Sequence, residues 1–208
     1  MTDVYCLQKI KKKLGFPYTI IEKSDEDILQ DIIYDEALKT FSKYFPLEEL
    51  IRREDCEKDP NYEAVWNFPT NFQNRVISVK KVIDVNSEWD FKLVTNNSIR
   101  IFGSETTTNQ AYITIIAKTL HKKDLSTIPI NQEDIFIEYC TILLAEELLP
   151  IKKEFTRLGS PIGDIELNTE LLQNIVDKKV EFMEKKFYNS AKLSKRIPIV
   201  FNAPFANS

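Results

Sequence analysis

The sequence predicts an α+β fold in which a helical bundle is interrupted by a small antiparallel β-sheet. Two observations predict this class. Apolar residues recur every three or four positions over three long segments, about 25–45, 132–149 and 169–190, which is the period of an α-helix. Between the first two segments, from about 64 to 120, β-branched residues and short turn signals dominate instead, as is typical of strands.

Two helices are predicted before the β-insert. The segment from Asp3 to Leu14 carries apolar residues opposite a lysine run, and Gly15 follows it as a helix end. Ser24 is a good N-cap for the next helix, and Asp27 stands where a capping box places its acid. Pro46 ends that helix, because proline disfavours helical backbone at the residue before it.

The β-insert, about 62–122, is predicted to be a meander of three to five strands within one domain that spans 1–192. Its longest strands are expected within 75–85 and 111–120. Asn96 and Asn97 predict a tight hairpin turn, because asparagine tolerates positive φ. The charged stretch before it, 47–60, is expected to add one or two helical turns.

The second half returns to helical periodicity. Asn131 is expected to cap one helix and Pro150 to end or kink it, and Asn168 is expected to cap the last helix. Residues 193–208 lack helical period and contain several large apolar side chains, so they predict an extended C-terminal arm. Such an arm favours burial against the same subunit or an adjacent one. A disordered end, or a strand of the same domain, is the alternative.

Composition argues against several classes of protein. The chain has 32 acidic and 28 basic residues, a net charge of −4, and only six of the bases are arginine. This is a poor inventory for bidentate recognition of phosphates or bases, so sequence-specific binding of nucleic acid is disfavoured. No stretch approaches the roughly 18 apolar residues of a membrane helix, and no signal-peptide core is present. We expect synthesis in a reducing cytoplasm and no membrane contact.

No group of residues predicts catalysis, a cofactor or a metal site. The single histidine, His121, lies beside lysines and is expected to be a surface residue without a role. Two acidic groups, 25–31 and 146–147, contain paired carboxylates that could hold a metal or move protons. The first suits the positive end of a helix and the second lies beside Lys152 and Lys153, so both are interpreted as structural.

The order of these elements resembles that of head-to-tail connector proteins, the neck or ring proteins of tailed bacteriophages. The resemblance includes neck proteins of myophages and ring proteins of crAss-like phages. It extends over most of the chain in element order, including the helix pair joined by "RLGSPIGDIELN", residues 157–168. Its strongest part is the phrase "ALKTFSKYFP", with the matching residues Ala37, Leu38, Phe41, Ser42, Tyr44, Phe45 and Pro46.

The resemblance implies a structural virion protein and not an enzyme. About twelve copies are expected to form a ring in the neck below the portal, extend the DNA channel and dock the tail. The expected partners are other copies, the portal protein and other neck or tail proteins, with double-stranded DNA passing through the lumen without sequence-specific binding. The candidate interface residues are Tyr34, Trp89, Ile197, Val200, Phe201 and Phe205.

Two rival hypotheses come from other classes. One is a small non-enzymatic intracellular binding or regulatory protein. The other, ranked last, is an enzyme with an unrecognised carboxylate site.

Overall fold

The computed structural model describes residues 1–16, 23–84, 87–103, 113–157 and 169–189. These residues form four helical segments and two small antiparallel sheets, so the predicted α+β class is confirmed. The predicted arm at 193–208 and the predicted Asn168 cap lie outside the described residues.

The helical part consists of one short helix and three longer helical segments. Helix α1 spans Asp3–Lys13. The segment called here the second helix is formed in direct succession by α2 (Asp25–Asp27), a π-helical stretch (Ile28–Ala37) and α3 (Leu38–Tyr44). Helix α4 spans Ile130–Arg157. The segment called here the last helix is formed by α5 (Thr169–Asp177), α6 (Lys179–Phe182) and a π-helical stretch (Met183–Tyr188).

Both predicted ends of the second helix are confirmed. The Ser24 hydroxyl accepts a hydrogen bond from the Asp27 backbone N–H over 3.1 Å and donates one to the Asp27 carboxylate over 2.6 Å. At the other end the helix stops at Tyr44, and Phe45 leaves helical backbone with φ −125° and ψ 63°. This is the conformational restriction that Pro46 imposes on the residue before it.

Two predicted helix boundaries are wrong. Helix α4 begins at Ile130, so Asn131 lies inside the first turn, where the carbonyl of Pro129 accepts a hydrogen bond from the Gln132 N–H over 2.8 Å. The helix also continues through Pro150 to Arg157, so Pro150 does not end it, and the alternative that Pro150 kinks it stays a prediction. A proline within a helix removes one backbone donor, and here the flanking turns continue despite that loss.

The described residues of the β-insert form seven strands in two sheets. They are β1 (Leu47–Arg52), β2 (Glu57–Lys58), β3 (Val65–Asn67), β4 (Val76–Ile83), β5 (Phe91–Thr95), β6 (Ser98–Ile101) and β7 (Thr114–Thr119). One sheet has the order β1-β7-β4 and the other has the order β2-β3-β6-β5, with every pair antiparallel. The single meander that the sequence predicts is therefore two sheets.

Strand β1 corrects the expectation of helical turns in 47–60. Its residues pair with β7 from Leu47 opposite Thr119 to Arg52 opposite Thr114. Leu50 is 66% exposed while its neighbour Ile51 is buried, which is the alternation of a half-buried strand. Pairing with a strand about seventy residues away overrides the local helix preference of Leu and Glu. The insert therefore begins at residue 47 rather than at about 62.

The two parts have separate cores. In the helical part α4 packs against α1, against the second helix and against α5, and buried residues from all of these segments form one cluster. Cys140 is buried there, whereas Val4 and Val180, which the helical period places inward, are 60% and 70% exposed. The second cluster lies in the β-insert and includes Ile51 and Ile115.

Candidate functional site

Aromatic side chains from three helical segments meet at the point where the chain passes into the β-insert. The ring centroid of Phe41 lies 4.7 Å from that of Phe45, 5.2 Å from that of Phe136 and 6.0 Å from that of Phe187. Tyr44 meets Phe187 edge-on at 5.2 Å. Offset and edge-to-face pairs of this kind stabilise beyond the area they bury. This cluster fixes α4 and the last helix against the end of the second helix.

An open cleft of about 540 Å³ lies beside this cluster, between the second helix and the three-stranded sheet. It is lined by Tyr34, Leu38, Lys39, Glu49, Asn71, Gln73, Asn74, Arg75, Leu120, His121, Lys122 and Lys123. Arg75 bridges its wall: the guanidinium pairs with the Glu49 carboxylate over 2.8 Å and donates to the Leu120 carbonyl over 3.0 Å. The remaining charged lining residues are lysines.

His121 forms part of the cleft wall, and the expectation that it is a surface residue is wrong. Its side chain is 4% exposed. The Phe45 carbonyl lies 2.8 Å from Nε2, so Nε2 carries the proton and donates, while Nδ1 accepts from the Thr127 hydroxyl at 3.1 Å. Burial lowers the pKa of His121 below its ordinary value of 6.5 and outweighs the Phe45 contact, which raises it. The neutral ring therefore links the helical part to the end of β7.

The acidic groups of the sequence are engaged in ion pairs between elements. Lys23 lies 3.0 Å from Asp31 and 2.8 Å from Glu147, and it joins the second helix to α4. Glu146 pairs with Lys179 of the last helix over 2.6 Å. The structural interpretation is thus supported, with partners from distant elements in place of Lys152 and Lys153.

Within the described residues, no three His, Cys, Asp or Glu side chains are grouped so as to hold a metal ion. The three cysteines are buried, and burial raises the pKa of the Cys56 thiol to about 12, which keeps it protonated and unreactive. Among the same residues, no helix has both the length and the apolar character needed to cross a bilayer.

Comparison with known families adds the deciding observation. The profile described as "Bacteriophage ring protein" matches the chain over residues 1–91 and 88–202. The chain belongs to this family. The match spans both sheets and all four helical segments, and it confirms the sequence-based prediction of a structural phage ring protein. No curated protein matches the chain.

For a ring protein the candidate site is a subunit interface, and the structure gives two of the predicted interface residues partners within the chain. The Tyr34 hydroxyl lies 3.2 Å from the Asp3 carboxylate, and the ammonium of Lys123 lies 5.8 Å from the ring centroid. Burial and the Asp3 carboxylate raise the pKa of Tyr34. The indole N–H of Trp89 donates to Asp84 over 3.0 Å.

Both side chains are half-buried, and an interface role for either stays a prediction. Tyr34 is the better placed, because it lies at the cleft. Trp89 packs against the core of the β-insert. The other predicted interface residues, Ile197, Val200, Phe201 and Phe205, lie outside the described residues.

Several exposed apolar side chains are further candidates for contacts between ring subunits, and sequence reasoning did not single them out. Ile130 is 87% exposed, Leu50 is 66% exposed and Tyr62 is 64% exposed. Single exposed apolar residues are common on soluble proteins, so each needs support from its surroundings. The alternation in β1 could have indicated Leu50 had the segment been recognised as a strand.

Proposed function

We propose that this ring protein is a subunit of the phage neck. About twelve copies form a closed ring below the portal, as cyclic symmetry allows. The ring extends the channel through which the DNA passes and provides a surface on which the tail docks. The protein is then a virion component, made in the cytoplasm of the host.

The family match supports the ring-forming part of this proposal, because its two parts together extend from residue 1 to residue 202. The neck position rests on the likeness of the phrase at 37–46 to neck and connector proteins. That phrase contains Phe41 and Phe45, which lie in the aromatic cluster, and it ends at Pro46, where the chain leaves the helical part.

The two-part architecture suits a ring subunit. A closed ring requires a heterologous contact, in which one patch of a copy binds a different patch of the next copy. In this proposal the four helical segments act as a wedge-shaped bundle. The β-insert supplies a second body with its own core and a different set of exposed side chains.

The charge of the chain is compatible with DNA passing through the ring. Tight binding to DNA arises largely from basic side chains that displace counterions from phosphates. With a net charge of −4 and few arginines, the subunit lacks the excess of basic side chains that holds DNA in place. The DNA therefore slides through the lumen without sequence-specific contacts.

We further propose that the protein acts without catalysis. The shifted pKa values of His121 and Cys56 have burial as their first cause, and the histidine is engaged by backbone and hydroxyl groups of the fold itself. The ion pairs of the acidic groups likewise join elements of the fold. Among the described residues that line the cleft, Glu49 is the one carboxylate, and it pairs with Arg75.

Electron cryo-microscopy of purified phage particles tests the proposal. The expected result is density for a ring of this chain between the portal and the tail. Absence of the chain from purified particles would overturn the proposal and favour the rival hypothesis of an intracellular binding or regulatory protein. A ring at another level of the particle would overturn the neck position alone.

A further inference from the structure

Helix α1 presents a basic face that no described element covers. Lys9, Lys12 and Lys13 are exposed along it, and Val4 and Tyr5, on the first turn, are 60% and 42% exposed. The fourth lysine of the helix, Lys11, is engaged by Asp25 of the second helix. The "lysine face" is defined here as Val4, Tyr5, Lys9, Lys12 and Lys13.

The opposite side of α1 is held firmly in the fold. Cys6, Leu7 and Ile10 are buried in the helical core. The Thr2 hydroxyl caps the helix by accepting from the Tyr5 N–H, and the amino group of Met1 pairs with Glu133 of α4 over 2.9 Å. The lysine face is therefore presented on a rigid support, which lowers the entropy lost when a partner binds.

A surface of opposite charge lies in the β-insert. The turn from Glu54 to Glu63 contains five acidic side chains and one lysine. Within it Asp55, Glu57 and Glu63 are exposed, and Tyr62 is 64% exposed. The segment 54–63 is called here the acidic turn, and the carboxylate of Glu54, at its start, pairs with Arg52.

The acidic turn also has a defined backbone. Strand β2 within it pairs with β3, and the Asp59 N–H donates to the Val65 carbonyl over 2.9 Å. The Asp59 carboxylate in turn accepts from the Asn61 N–H over 2.8 Å. Like the lysine face, where the Lys9 ammonium lies over the Tyr5 ring, the turn combines exposed charges with exposed apolar surface. Asp55, Glu57 and Glu63 form no ion pair with another described residue, and tyrosine, present here as Tyr62, is enriched at protein interfaces.

We propose that the lysine face of one copy binds the acidic turn of the next copy around the ring. This inference rests on the proposed ring and specifies which surfaces of adjacent copies are in contact. The two surfaces belong to different parts of the fold, one on the helical part and one on the β-insert, so they form a heterologous contact of the kind that closes a ring. Opposite charges steer the copies together and set the register, and the apolar residues supply area that excludes water.

Exchange of charge between the two surfaces tests the proposal on the purified full-length chain. One variant carries Lys9→Glu, Lys12→Glu and Lys13→Glu, and the other carries Asp55→Lys, Glu57→Lys and Glu63→Lys. Each variant alone juxtaposes like charges and is expected to associate at least about tenfold more weakly than the wild type. An equimolar mixture restores opposite charge at every contact, and it is expected to recover assembly.

Mass photometry and negative-stain electron microscopy measure the assemblies, and circular dichroism checks that each variant folds. A control with Lys43→Glu, Lys92→Glu and Lys186→Glu makes the same change in net charge as the lysine-face variant, at exposed lysines elsewhere. It is expected to associate like the wild type. Wild-type assembly is expected to weaken as salt rises from 0.1 M toward 1 M, where the Debye length falls from about 10 Å to about 3 Å.

Two results would overturn the inference. In the first, either charge-reversal variant alone assembles as efficiently as the wild type. In the second, the equimolar mixture assembles no more efficiently than either variant alone. A ring map from particles in which the lysine face and the acidic turn of adjacent copies lie apart would also overturn it while leaving the neck function intact. Absence from particles would instead overturn the proposed function.

Discussion

The hydroxyl of Ser42 accepts a hydrogen bond from the backbone N–H of His121 over 3.0 Å, across 79 positions of sequence and in a buried environment. The same hydroxyl donates to the Leu38 carbonyl over 2.6 Å. Ser42 therefore provides a hydrogen-bond acceptor for the buried His121 N–H, and it links the residue that follows strand β7 to the second helix. The helical part and the β-insert are held together here by polar contacts as well as by packing.

Ser42→Ala is expected to lower the free energy of unfolding by about 1–3 kcal/mol, because the His121 N–H then has no partner in a buried site. Chemical denaturation of the purified chain measures this. Thr141→Val is a matched control, since the Thr141 hydroxyl is also buried but donates only to Ile137 of its own helix over 2.7 Å. An equal loss of free energy of unfolding in both variants would show that the hydrogen bond to His121 adds no more stability than a hydroxyl bonded within its own helix.

Stability is expected to depend on pH through His121, the only histidine of the chain. Its folded-state pKa lies below the ordinary value of 6.5, so the unfolded state binds the proton more readily. The stabilisation is therefore complete above about pH 6.5 and is lost as the pH falls toward the lowered folded-state pKa.

Thermal melts between pH 5 and pH 8 measure this dependence. The variant His121→Gln removes the titrating group and is expected to flatten the curve in that range, although it is less stable at every pH. A wild-type melting temperature that stays constant from pH 8 to pH 5 would contradict the prediction.

Phe41→Ala is expected to cost about 3–5 kcal/mol, because a fully buried ring in contact with three other phenylalanines is replaced by a cavity. Denaturant unfolding provides the measurement. Val180→Ala, at a 70% exposed position of the last helix, is a control expected to change stability by less than about 0.5 kcal/mol. A loss below about 1 kcal/mol at Phe41 would mean that its surroundings collapse onto the space.

Removal of the arm from Ile197 onward is expected to leave a folded subunit and to impair ring assembly or docking. The reason is that the apolar side chains of this stretch favour burial against a neighbouring surface. Melting temperature and mass photometry separate the two effects. Full-length chain with Phe201→Ser and Phe205→Ser tests the apolar contacts alone. A large fall in melting temperature would show instead that the arm belongs to the core of its own subunit.

Elements whose signals are local were predictable from the sequence. The start of the second helix follows from Ser24 and Asp27, and its end follows from Pro46. The turn at Asn96 and Asn97 connects β5 with β6 as expected, although neither asparagine has the positive φ that was the reason for the prediction. In each case the determining groups lie within three residues of one another. The sheet pairing was not predictable, since β1 lies beside β7 only because the chain returns after more than sixty residues.

The contacts of residues around the cleft were not predictable either, because their partners are also far away in sequence. His121 looks like a surface residue between a threonine-rich strand and two lysines, yet its ring partners are the Phe45 carbonyl, 76 positions away, and the Thr127 hydroxyl. Lys23 likewise finds Glu147 at a separation of 124 positions. The π-helical geometry at Ile28–Ala37 also has no sequence signal, because its apolar spacing of three and four matches an ordinary α-helix.

The antiparallel pairing of Leu47 with Thr119 has an evolutionary consequence. The chain leaves the helical part and returns to it at adjacent points, so the two ends of an insertion of about seventy residues lie side by side. Strands and loops between these two paired ends can lengthen, shorten or be exchanged by recombination without moving the ends of the helices apart. A phage lineage can thereby alter what its ring touches while inheriting the same helical body unchanged.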